Sequence, residues 1–228
     1  QIFGLIDDGL FTDDDFVTNE SGELELVPGI PKHTFAPVRP GDIKYKDIND
    51  DGVINSLDQC PIGGTEDPQI VYGFGASVLY KQIDFSFFFQ GNGKTYRIIG
   101  GNNFIPGSGD GSMGNIYDNY QDRWTVDNPS QDAFWPRLSS YNHANNTQSS
   151  TWWLKDMSML RLKNIEIGYS FPKQTVLPNY IKSARIFLAG SNLLQFSKFK
   201  LWDPEIGFSN GLRYPIMKSA SIGLEIDF

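Results

Sequence analysis

The chain has 228 residues, a net charge of −8 and 14 % aromatic residues, mostly its 17 Phe and 10 Tyr. That length suits about one ordinary domain, and the acidic balance argues against nucleic acid as a partner. No apolar run approaches the roughly 20 residues of a membrane-crossing helix, so any route into a bilayer must use strands.

One cysteine, Cys60, excludes an intrachain disulfide and a cysteine-based metal site. His33 and His143 are too few and too far apart in sequence to suggest a catalytic pair. The chain opens at Gln1-Ile2-Phe3-Gly4 without methionine, a basic segment or a signal-peptide core, which leads to the expectation of a C-terminal piece of a longer chain.

In chain order, residues 1–11 read as the tail of a strand running into a turn at Asp7-Asp8-Gly9. Residues 12–40 are acidic and then rich in proline, the composition of an exposed irregular connection. Residues 41–45 form an extended lead-in to an acidic loop at 47–58, and residues 60–69 return the chain to its organising element.

That element is residues 71–90, two strands joined by Lys81-Gln82. Tyr72, Phe74, Ala76, Val78 and Tyr80 share one face of the first strand, and Gly73, Gly75 and Ser77 the other, interrupted by Leu79. Ile83, Phe85, Phe87 and Phe89 share a face of the second, opposed by Asp84, Ser86 and Gln90. Period-two alternation predicts strands with one apolar and one wet side. An aromatic apolar side, a small polar side and a minimal turn predict a hairpin of an outer-membrane β-barrel.

Beyond it, Gly91-Asn92-Gly93 leads to a possible strand extension at 95–99, then to a flexible loop at 100–114 dense in Gly, Asn and Ser. Ile116, Tyr120 and Trp124, at i, i+4 and i+8, predict a short helix over 116–124. Residues 125–151 are polar and irregular, too long to be mere linkage in a compact soluble domain. Further strands are predicted at 157–171, 184–196 and 219–228, separated by a modest connection at 172–183 and a loop at 198–218. Five or six strands fall short of the about eight of the smallest bacterial membrane barrels, and unpaired edges are not tolerated in lipid, so the strands belong to a larger barrel.

Residues 47–58 follow the pattern of a calcium loop. Asp47, Asn49 and Asp51 stand at the first, third and fifth ligand positions, and Gly52 allows the sharp turn. Val53 would offer its carbonyl, Asn55 a water-mediated contact, and Asp58 the position usually held by a bidentate glutamate. Calcium takes six to eight hard oxygens, and this spacing wraps them around one point. The aspartate in last position suggests a weaker structural site. Lys44-Tyr45 before the loop and Pro61 after it argue against a paired-helix calcium sensor. The blander alternative is an acidic turn that binds nothing.

Other signals take plain readings. Trp124, Trp135, Trp152, Trp153 and Trp202 read as loop anchors or interface residues rather than a sugar site. Gly91-Asn-Gly-Lys94 lacks the spacing of a phosphate loop. Asp203-Pro204-Glu205 reads as capping and turn chemistry rather than a glycosidase pair. No catalytic constellation stands out.

The order of these pieces resembles the C-terminal part of the SusC/RagA family of TonB-linked outer-membrane proteins. The resemblance is carried by residues 40–55, Ile62-Gly63, Tyr72-Gly73-Phe74-Gly75, residues 85–91, residues 160–165 with Gly168-Tyr169, Asn192-Leu193, Asp203-Pro204-Glu205, Tyr214-Pro215 and the terminal Phe228. It implies an all-β fold, an antiparallel stretch of a plugged barrel of roughly 22 strands. In that layout 12–70 is an extracellular loop carrying the calcium-type loop, 71–90 the hairpin, 91–157 a long extracellular loop and 158–228 the final strands. The turns at Lys81-Gln82 and 172–183 would be periplasmic.

The resemblance further implies a non-enzymatic importer in the outer membrane of a Gram-negative bacterium. It would take up glycans or peptides with a SusD-type surface lipoprotein as lid, driven by TonB through regions outside this stretch, with Ca2+ as structural ion. The main alternative is a secreted calcium-binding β-sandwich such as a carbohydrate-binding module, whose strands would bury their aromatic faces against each other. A secreted hydrolase is a third and weaker reading.

Overall fold

The computed structural model describes residues 1–101, 104–107, 114, 116–172, 178 and 180–228. About half of the glycine-rich loop expected at 100–114 and half of the connection at 172–183 lie outside the described residues.

The dominant element is a five-stranded antiparallel sheet of β1 (Ile70–Tyr80), β2 (Ile83–Gly93), β3 (Met159–Ser170), β4 (Ser183–Ser197) and β5 (Ser219–Asp227). Each strand pairs with the next in sequence, so spatial order follows chain order. This meander is the connectivity of an up-and-down barrel wall. The strands have 11, 11, 12, 15 and 9 residues. Spanning a bilayer at a tilt takes about 9–11.

The predicted hairpin forms as expected. Lys81, at φ 54°, takes the left-handed conformation of a two-residue turn, and Ile83 pairs with Tyr80. The ends of the sheet differ. Ile70, Gly93, Met159, Ser197 and Ser219 gather at one end, from which the connections 94–158 and 198–218 leave. The other end carries the tight turn and the 171–182 connection. Long loops on one rim and short ones on the other mark an outer-membrane barrel.

The chain divides into two compact units. One holds the sheet: Asp67–Thr95, Asp156–Gly207 and Arg213–Phe228. The other comprises Gln1–Glu66, Tyr96–Lys155 and Phe208–Leu212. The segments that read as irregular loops therefore fold together with a core of their own.

In this loop unit, short ladders pair Ile2–Gly4 with Cys60–Gly63, Asp7–Leu10 with Ile43–Tyr45, Phe16–Thr18 with Leu24–Leu26, and Lys32–His33 in parallel with Val53–Ile54. The opening segment is thus two short strands, and Asp7-Asp8-Gly9 lies within the second instead of forming a turn. Leu5, Phe11, Ile43, Ile54, Phe104, Trp135 and Trp153 are almost completely buried. The ring of Phe104 lies 5.1 Å from Trp135 and 5.4 Å from Trp153, with the Trp153 pair edge to face.

The helix expected over 116–124 does not form. Trp124 N–H donates to the Trp135 carbonyl at 2.9 Å, and Trp135 N–H to the Asp122 carbonyl at 3.0 Å. Three apolar positions give a nascent helix too little buried face to compete with this tertiary pairing. Ile116, the first of them, stays exposed.

Buried polar groups knit the distant segments of the unit. Asp42, fully buried, accepts from Arg137 Nε and Nη2, both at 3.0 Å, and from Asn146 Nδ2 at 2.8 Å. Asn145 Nδ2 donates to the Ile43 carbonyl, and Tyr45 Oη donates to the Asn145 carbonyl. Irregular backbone inside a core needs such partners, because an unsatisfied buried amide costs about 1–3 kcal/mol.

Candidate functional site

The register of the large sheet sorts its side chains into two surfaces. One row runs Tyr80, Ile83, Tyr169, Ile186 and Leu224, and the next row on that face runs Val78, Phe85, Ile167, Leu188 and Ile222. All of these side chains but the half-buried Phe85 are exposed: Leu188 is 56 % exposed and Ile222 70 %. A contiguous apolar band of this breadth is foreign to the surface of a soluble monomer. A β-sandwich would bury it under a second sheet. Here the rings and branched side chains remain uncovered.

The opposite face is polar. Its rows run Ser77, Ser86, Glu166, Ala189 and Ser221, then Leu79, Asp84, Gly168, Phe187 and Gly223. Arg185, on the same face, donates from Nε and Nη2 to the two carboxylate oxygens of Asp84 at 3.0 and 2.5 Å, and from Nη2 to Glu166 at 2.5 Å. Its Nη1 lies 3.5 Å from Glu225. Four strands thus share one charged cluster, as on a wet barrel lumen.

A second cluster lies toward the long-loop end of the same face. Bulging of the β3 register between Leu162 and Asn164 keeps Arg161 on the polar side, opposite Gln90 and Gln195. Arg161, 1 % exposed, donates from Nη2 to Asp203 at 2.6 Å and to Gln195 at 2.9 Å. Its Nε lies 2.9 Å from Glu205, a charge contact without hydrogen-bond alignment. Lys163 Nζ donates to both Glu205 oxygens at 3.1 Å.

Asp203 also caps a single turn of 3-10 helix, Pro204–Ile206, accepting from Glu205 N–H at 3.0 Å. The capping chemistry read from the sequence is present. Its ion pairing with β3 had no local signal, since 42 residues separate the partners.

The calcium-type loop is folded by its own side chains. Asp47 accepts from Asp51 and Gly52 N–H at 3.3 and 2.7 Å, Asn49 from Asp51 N–H at 3.1 Å, and Asp51 from Val53 N–H at 2.8 Å. Asp50 at φ 56° and Gly52 at φ 77° make the sharp bend. Asp47, Asn49 and Asp51 are therefore brought together.

Val53 enters the short parallel ladder with Lys32. Asp58 sits beneath, fully buried, its two oxygens accepting from Ile48 N–H at 2.9 Å and Asn55 N–H at 2.8 Å. It fastens both ends of the loop. Among the described residues, no group of three or more His, Cys, Asp or Glu side chains converges into a metal cage.

The tryptophans act as anchors. Trp135 and Trp153 are core residues, Trp152 Nε1 donates to the Phe134 carbonyl at 3.2 Å, and Trp202 stands edge to face with Phe199.

No family model matches the chain. Among curated proteins, the TonB-dependent receptor P26 of Formosa agariphila is 31 % identical over 203 residues, 82 % of this chain and 20 % of that protein. Most of this chain is thus similar to TonB-dependent receptors. The TonB-dependent receptor SusC of Bacteroides thetaiotaomicron is 25 % identical over 198 residues, 83 % of this chain and 18 % of that protein.

In fold, the RagAB peptide importer in its open-open state matches with a TM-score of 0.68 at 23 % identity, and in its closed-closed state with 0.67 at 20 %. Each match covers 100 % of this chain, and 22 % and 23 % respectively of those chains. The chain thus spans about a fifth of the length of the curated relatives it matches. The sheet is an antiparallel stretch of an outer-membrane β-barrel wall, and its apolar face is of the kind such walls turn to lipid.

Proposed function

We propose that this chain is the C-terminal barrel portion of a TonB-dependent nutrient importer, with no enzymatic activity. The importer takes up an oligomeric nutrient, glycan or peptide, beneath a SusD-type lipoprotein lid. TonB, acting through regions outside this stretch, supplies the energy. The single observation that carries the reading is the five-strand meander with one apolar and one charged face. The long connections at 94–158 and 198–218 lie on the extracellular rim. The names of the relatives, a receptor and a peptide importer, support transport over catalysis.

The deciding experiment deletes the receptor gene and compares growth on glycan oligomers, peptide oligomers and their monomers. Loss of growth on one oligomer class, with growth on its monomers kept, is expected. Undiminished growth on every oligomer contradicts the reading. Deletion of the lipoprotein gene should mimic the defect.

The loop at 47–58 belongs to the same proposal as a structural Ca2+ site. Asp47, Asn49 and Asp51 would hold the ion with the Val53 carbonyl, and Asp58 would brace them or join them. The support is the shared turn of those three side chains and the ordinary capacity of a carboxylate oxygen to accept an N–H and bind a cation together. Elemental analysis of the purified receptor should find calcium, and Asp47→Ala with Asp51→Ala should remove it. Wild-type receptor that still holds no calcium when equilibrated with millimolar Ca2+ contradicts the site.

A further inference from the structure

The sheet unit contains a cavity of about 320 Å3 where residues 199–203 and 215–218 meet Arg161 of β3 and Gln195 of β4. That volume is at the lower end of small-ligand sites, about 300–1,000 Å3. Its floor is Arg161 and Gln195, held by the Asp203 contact described above. Phe199 and Trp202 form a corner, ring centroids 4.8 Å apart at 78°. Lys200 and Lys218 stand on the rim, both exposed, and neither forms an ion pair among the described residues.

The charges do not cancel across the cavity. Arg161 and Lys163 are matched one for one by Asp203 and Glu205. The floor is therefore neutral, and among the described residues the two rim lysines are left unbalanced in a chain whose net charge is −8. Two ammonium groups beside an aromatic corner suit a ligand with an anionic group on one side and an apolar or ring surface on the other.

We infer that this cavity is a subsite for an anionic terminus of the imported oligomer, a carboxylate held by Lys200 and Lys218 with its adjoining unit against Trp202. The inference deepens the importer reading and rests on it. A carboxylate arises both from an acidic sugar and from a peptide C-terminus, and the test separates the two.

The test measures binding by the full-length receptor, purified in detergent, to four probes: a galacturonic acid tetramer, its methyl ester, tetra-alanine and tetra-alanine amide. The expected result is tighter binding of one free acid than of its uncharged derivative. Lys200→Gln with Lys218→Gln should weaken that acid by about fivefold, each exposed charge contact being modest. The derivative should keep its affinity, and Lys200→Arg with Lys218→Arg should restore the acid. About 1 M salt, where the Debye length is roughly 3 Å, should erase the preference.

Equal affinity of the double Gln variant and the wild type for the acid overturns the subsite and leaves the importer reading intact. Binding of neither acid nor derivative by the wild type, with unimpaired growth of the deletion strain on oligomers, overturns both.

Discussion

Arg185 on β4 grips Asp84 on β2 across the intervening strand, and Gly168 of β3 is the gap that lets them meet. A Cβ at Gly168 would lie 2.5 Å from Arg185 Nη2 and 2.6 Å from Asp84 Oδ1. The cross-strand partners of Gly168 are Asp84 and Phe187, so a side chain there would stand on the polar face where the guanidinium passes.

Gly168→Val should therefore displace the guanidinium and disperse the four-residue cluster. The expected outcome is a lower unfolding midpoint of the full receptor in detergent, with Gly168→Ala milder because the ends of Arg185 and Asp84 can swing away. Arg185→Gln should reproduce most of the Gly168→Val shift, and combining the two should add little.

The two faces of the sheet should respond oppositely to charge. Ile167→Arg places a cation on the apolar face of the central strand and should cost about 2–4 kcal/mol if that row lies near the bilayer midplane. Ser77→Arg, on the polar face, should change stability by less than about 0.5 kcal/mol. Equilibrium unfolding of the full receptor in lipid vesicles gives both values.

Asp58 should matter with or without a metal. Asp58→Ala leaves the N–H groups of Ile48 and Asn55 without their acceptor, a cost of about 1–3 kcal/mol for each that stays buried. Amide exchange across residues 47–58 should accelerate, even in calcium-free buffer. Asp58→Asn retains one acceptor oxygen and should fall between the two.

The loop unit should weaken in acid. Burial is the largest influence on His33 and depresses its imidazole below the ordinary 6.5, against a smaller opposing effect of the Asn145 contact. Its ring lies 5.0 Å from Phe11 and 5.6 Å from Tyr45, a setting that disfavours a cation without solvation. The unfolded chain then binds the proton more readily than the folded one. Stability is fully present above pH 6.5 and is lost as pH falls toward the lower folded value. His33→Gln should flatten that slope, read as the unfolding midpoint of the loop unit against pH.

The hairpin and the last strand were legible because a barrel strand with one apolar face enforces alternation; Ile222–Phe228 obeys it throughout, and Ile83–Phe89 breaks it only at Phe88. The strand 184–196 is less cleanly sided in sequence, because Phe187 and Ala189 stand with Arg185 on the polar face. Its register shifts around residues 191–194, where Asn192 takes a positive φ, break the period.

The loop unit was hidden because its core comes from single rings, Phe104, Trp135 and Trp153, set in polar stretches with no period. The Arg161–Asp203 pair was hidden for a different reason. A charged residue on a strand reads as solvent-facing until folding brings a capping aspartate over it.

The central claim is that the row containing Ile167, Leu188 and Ile222 meets acyl chains while Glu166, Ala189 and Ser221 meet water. Single spin labels at Leu188→Cys and Ala189→Cys, in a Cys60→Ser full receptor reconstituted in vesicles, test it through collision with oxygen and with a water-soluble nickel chelate. The account predicts oxygen access and chelate exclusion at 188, and the reverse at 189. Chelate access at 188 equal to that at 189 would contradict it.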